Sequence, residues 1–171
     1  MYVTEDAGAS SGPRRLACIS VGKIGRPEDF EVIERLYYES EDAMLRSYAL
    51  AGLAEFEGHD ITQVLIQALK RDTFWRIRLT AAEKLSGAAE ASELLQYKAE
   101  NDPVPQVKIA SLKSLGTVSG GRNAQFLLEY FTDDRKSIDM RLACLLVLVE
   151  NTIPGTLDAI ENLMEKLWKK D

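Results

Sequence analysis

The residues able to do covalent or metal chemistry are few. There is one histidine, His59, and there are two cysteines, Cys18 and Cys144. Adjacent carboxylates occur at Glu28-Asp29, Glu41-Asp42 and Asp133-Asp134. A metal site needs three or four convergent ligands, and a cysteine nucleophile needs a base within hydrogen-bond reach. His59 stands alone in Gly58-His59-Asp60, and neither cysteine has a histidine in its own segment. His59 therefore reads as a turn residue beside a helix start. The carboxylate pairs fall at helix starts, where the macrodipole favours negative charge, and read as caps and solvated turns. Ser119-Gly120-Gly121 lacks the lysine of a phosphate-binding loop. No catalytic residue, metal site or cofactor is expected, and the chain reads as a non-enzyme.

A second set of residues has much stronger spacing. Arg14, Arg46, Arg78, Lys108 and Arg141 are separated by 32, 32, 30 and 33 residues. Each opens an apolar-periodic segment. Counted from the basic residue, apolar or small side chains fall at −1, +3, +4 and +7, one face of a 3.6-residue helix. The +3 position is always small: Ala17, Ala49, Ala81, Ser111 and Cys144. Small side chains there let neighbouring helices approach closely. A recurrence of this length marks a repeat array. Read as function, five basic residues on one face would hold phosphate or an acidic partner. Read as structure, each pairs with a carboxylate nearby. Asp72 and Asp102 stand six residues before Arg78 and Lys108, and Asp42 four before Arg46. With both charges present, the structural ladder is the favoured reading.

The elements that position these residues are helices of two alternating kinds. The kind carrying the basic residue starts at N-cap candidates Ser40, Asp72 and Asp102, the last followed by Pro103. The other kind is expected at 27–38, 60–70, 88–99, 122–131 and 155–168. The breaks between them are short, so consecutive helices run antiparallel. The two cysteines lie in the first and last repeats, too far apart in an extended stack for the roughly 7 Å a disulfide allows, and two free thiols are expected.

The string of Asp, a hydrophobic-basic pair, a small residue and Leu-Gly-x-Val resembles HEAT-like repeats of the phycobilisome-lyase type. It stands here as Asp72, Ile77-Arg78, Ala81 and Leu85, and as Asp102, Val107-Lys108, Leu115-Gly116 and Val118. The resemblance implies an all-α, right-handed superhelical α-solenoid of about five helix pairs, occupying 13–171 behind a flexible leader at 1–12. It also implies that the basic-residue helices line a concave groove. Positions −3, −2, +1, +2 and +5 would face that groove. They include Met44, Tyr48, Trp75, Arg76, Leu79, Glu83, Ile109 and Lys113. Tyr, Trp and Arg are residues that anchor interfaces. The expected function is a non-catalytic scaffold that binds a protein or peptide in this groove. Two alternatives follow from the repeat type alone: a phycobilin lyase or its partner subunit, and a HEAT-like DNA glycosylase.

Charge limits the second alternative. The 171-residue chain carries a formal net charge of −6, which opposes tracking along phosphate backbones. Nucleic acid is a disfavoured partner. No stretch has the apolar length of a membrane span, and residues 1–12 lack a secretory pattern, so a cytoplasmic location is the expectation. The repeat starts and stops halfway through a unit, and uncapped ends would leave apolar faces open to self-association.

Overall fold

A computed structural model describes residues 11–118 and 121–168. Among them the chain is all-α, without strands. The helices are α1 (Ser11–Ile24), α2 (Pro27–Glu39), α3 (Ala43–Leu53), α4 (Thr62–Arg71), α5 (Trp75–Lys84), α6 (Ser92–Asn101), α7 (Pro105–Thr117), α8 (Gly121–Thr132), α9 (Ile138–Glu150) and α10 (Thr156–Trp168). A 3-10 turn, Ala89–Ala91, leads into α6. The odd-numbered helices carry the repeated basic residue and are called B-type; the even-numbered ones are A-type. α1 begins at Ser11, inside the expected leader, and residues 1–10 lie outside the described residues.

The chain forms two compact units, residues 1–85 and 86–171. In the first, α2 pairs with α3 and α4 with α5, while α1, α3 and α5 pack side by side. In the second, α6 pairs with α7 and α8 with α9, α7 packs on α9, and α10 packs chiefly on α8. The repeat stripe is the core. Leu50, Leu53, Ile77, Ala81 and Leu85 are buried in the first unit, and Val107, Leu112, Leu115, Cys144 and Leu148 in the second. The stripe is less covered in α1 and α9, where Ala17, Val21, Met140 and Leu145 are half-buried.

The first two B-type helices meet backbone to backbone. A Cβ on Gly22 would stand 2.1 Å from the Gly52 carbonyl oxygen, and one on Gly52 2.5 Å from that of Cys18. Only glycine fits such a crossing, which extends the logic of the small +3 residues by one more turn.

The N-cap positions differ from those expected. Asp42 caps α3, its Oδ1 accepting from the Met44 and Leu45 N–H groups, and Ser40 is instead the C-cap of α2. Asp72 and Asp102 are the C-caps of α4 and α6, and the N-caps that follow are Phe74 and Val104. Each aspartate accepts from the N–H two residues on, Asp72 from Phe74 at 2.8 Å and Asp102 from Val104 at 3.1 Å. These are Asx turns. One side chain thereby closes the turn between two helices, and the next helix starts only after a further extended residue. The first-turn proline of α7 is accordingly Pro105, not Pro103.

Candidate functional site

The repeated basic side chains reach back to the A-type helix before them. Arg46 Nη1 donates to the Ser40 carbonyl at 3.1 Å. Arg78 Nη1 donates to the Asp72 and Thr73 carbonyls, both at 3.0 Å. Lys108 Nζ donates to the Glu100 carbonyl at 2.8 Å, and Arg141 Nε to the Phe131 carbonyl at 2.8 Å. Every acceptor lies at or near an A-type helix C-terminus. The last carbonyls of a helix lack intrahelical partners and carry partial negative charge that favours a cation. The ladder thus holds α3, α5, α7 and α9 each to the end of the A-type helix before it. Asp42 receives Arg14 of the neighbouring B-type helix, at 3.0 Å, rather than Arg46 of its own. The Arg14–Asp42 pair is a carboxylate contact of the expected kind, at the start of an adjacent helix, whereas the backbone acceptors of the other four leave no mark in a sequence.

With the basic ladder turned inward, the residues beside it face outward. In the first unit they line a groove of about 430 Å³. Its walls are Arg15 and Ile19 from α1, Ser47, Tyr48 and Ala51 from α3, and Arg76, Leu79, Thr80, Glu83 and Lys84 from α5. The Ser47 and Thr80 hydroxyls share a hydrogen bond of 3.3 Å across α3 and α5. On the rim Lys84 forms an ion pair with Glu55. Of the expected groove residues, Tyr48, Arg76, Leu79 and Glu83 come together here. Met44 and Trp75 are half-buried and stand outside the lining. Trp75 instead supports Arg76, whose guanidinium carbon lies 4.7 Å from the ring centroid, a cation–π contact. Ile109 and Lys113 belong to the second unit, on α7, half-buried and exposed respectively. Arg15 and Ile19 were missed, although the same phase applied to Arg14 puts them at +1 and +5.

A family model for HEAT repeats matches residues 62–148, from the start of α4 to near the end of α9. That is half of the chain. The chain belongs to the HEAT repeat family. The match is to HEAT repeats as such and does not single out the lyase type. No curated protein matches the chain. HEAT repeats commonly mediate protein interaction.

The remaining reactive groups of this HEAT repeat chain make local contacts or are buried. His59 is exposed and stacks on Phe30, with ring centroids 3.9 Å apart and planes 12° apart. Cys18 and Cys144 are free and buried. Burial pushes the Cys18 thiol up to about 11 and the Cys144 thiol up to about 12. Asp29, itself buried, accepts from Arg26 Nε at 2.8 Å. Asp133 is pulled down to about 2 by hydrogen bonds from the Arg135 side chain and backbone. Among the described residues no His, Cys, Asp and Glu group could hold a metal ion, and no helix is long and apolar enough to cross a membrane.

On the A-type side of the first unit, Tyr37, Tyr38, Gln63, Val64 and Gln67 border a shallower depression of about 570 Å³. Tyr37 is buried at its edge, and burial followed by the nearby Asp72 pushes its phenol up to about 12. This depression is more open and has fewer charges than the groove on the B-type side.

Proposed function

We propose that this HEAT repeat chain is a non-catalytic interaction module that holds a segment of a partner protein in the groove of its first unit. One observation carries the reading. Tyr48, Leu79 and Ile19 converge with Arg15 and Arg76 at repeat positions that core packing does not require. Tyr and Arg dominate the binding energy of many interfaces, and about 430 Å³ falls within the range of sites that enclose a side chain or small ligand. Tyr48, Leu79 and Ile19 suit an aliphatic or aromatic side chain. Arg15 and Arg76 suit an acidic neighbour on the same segment, and Glu83 selects against acid at the α5 C-terminal end. Ile109 and Lys113 offer similar chemistry on the second unit's own B-type face. Nucleic acid stays disfavoured on the net charge of −6.

The test is a selection of random displayed peptides on the immobilised chain, with the Tyr48→Ala/Leu79→Glu double variant as counter-selection. The expected result is enrichment of sequences pairing an apolar residue with Asp or Glu that bind the wild type and not the variant. Peptides that bind both equally would place the interaction elsewhere and reject the groove.

A further inference from the structure

Tyr37 on α2 is only 9% exposed, yet its hydroxyl has no hydrogen-bond partner among the described residues. Burying a hydroxyl without a partner is unfavourable, and most such groups in folded proteins are paired. Tyr130 on α8 follows that rule, its hydroxyl donating to the Ala99 carbonyl at 3.3 Å. Tyr37 instead forms part of the wall of the A-type depression, and the Asp72 carboxylate that acts on its phenol belongs to the same wall. The unpaired hydroxyl therefore lies on the side where a ligand enters.

The rest of the wall suits such a ligand. Tyr38 is 60% exposed, and its ring stands 4.8 Å from that of Tyr37 at an angle of 60°. On α4, Gln63, Gln67 and Arg71 are exposed and four residues apart, which sets them in one column. At about 1.5 Å per residue the column runs about 12 Å. That is the length of about four residues of polyproline II at about 3.1 Å each. Val64 and Ala68 fill the space beside the column. Arg71 has no ion-pair partner among the described residues.

Aromatic walls beside a row of amide donors, with little charge, fit an extended proline-containing chain. Polyproline II makes no internal hydrogen bonds, so its carbonyls are free to accept from Tyr37 Oη and the Gln67 amide. Proline-rich segments dock in aromatic-lined grooves for this reason and because they are already ordered. A bound helix would keep its carbonyls for itself and leave the Tyr37 hydroxyl unpaired. Arg71, at the end of the column, supplies a charged donor for a carboxylate. We propose that the depression bordered by α2 and α4 binds an extended, proline-containing segment of a partner protein, with an acidic residue at the Arg71 end. It shares no lining residue with the groove on the B-type side, so the two sites stand or fall separately.

Fluorescence anisotropy of labelled octaprolines, each carrying one aspartate at a different position, tests this on the full chain. Saturable binding of at least one of them is expected, weakened about tenfold by Tyr37→Phe. Arg71→Ala is expected to bring that peptide down to the affinity of plain octaproline. Tyr37→Phe removes a hydroxyl that bonds nothing in the free chain, so its urea midpoint is expected to equal or exceed that of the wild type. The Tyr48→Ala/Leu79→Glu groove variant is expected to bind the peptide as the wild type does. Failure of every octaproline to bind overturns the proposal, as does equal binding after alternate prolines are replaced by alanine. Unchanged affinity in Tyr37→Phe overturns it, and so does a lowered urea midpoint, which would mean that the hydroxyl is already bonded within the protein. Loss of binding in the groove variant would move the peptide to the groove and overturn it too.

Discussion

Arg78 is buried, yet its guanidinium hydrogen-bonds two backbone carbonyls beyond the end of α4. A hydrogen bond from a charged donor is worth about 1.5–3 kcal/mol, and its removal strands acceptors at a helix end. Arg78→Ala is therefore expected to lower the unfolding free energy by about 1.5–3 kcal/mol, read from urea denaturation, without altering what the groove binds. A binding defect at unchanged stability would return the ladder to a functional role. The cysteines allow a test by pH. Their folded-state values of about 11 and about 12 lie above the ordinary thiol range, so the neutral form is favoured. The associated stability is present below the unfolded thiol's pKa and is lost as pH rises through about 11 and then about 12. At pH 8 a thiol reagent should modify the native chain more than about 100-fold more slowly than the chain in urea. The basic ladder itself was legible in the sequence, because five recurrences fix a phase. Its acceptors were not, because every residue has a carbonyl.

Helix existence and facing came through the sequence well, and helix ends less well. The −1, +3, +4 and +7 positions read from the sequence are the buried ones in α3, α5 and α7. Asp72 and Asp102 were misplaced by two residues because an Asx turn and an N-cap use the same residue types. The distinction lies in the extended backbone of Phe74 and Val104, which composition does not record. The crossing of α1 and α3 provides the prediction at this scale. Gly52→Ala would set a methyl 2.5 Å from a backbone oxygen that has no rotamer to yield. The helices must separate, at a cost of about 1–3 kcal/mol, seen as a lower urea midpoint. An unchanged midpoint would mean that the helices approach less closely than described.

Across the molecule, the groove was partly legible and partly not. The repeat phase picked out Tyr48, Arg76, Leu79 and Glu83, and the structure brings these four together in the first unit. Trp75 was drawn in by its size. It is the first residue of α5, where the helix has just begun, and its ring lies beneath Arg76 beside the groove rather than in it. That position makes it a reporter. The chain has two tryptophans, Trp75 and Trp168, so Trp168→Phe leaves a single indole next to Arg76. The decisive measurement is a fluorescence titration of that protein with a peptide selected on the wild-type groove, repeated after adding Leu79→Glu. A saturable Trp75 signal is expected, and Leu79→Glu is expected to lose about tenfold or more in affinity, equivalent to about 1.4 kcal/mol, with the thermal midpoint unchanged. Equal affinity in the two proteins would contradict binding in the groove.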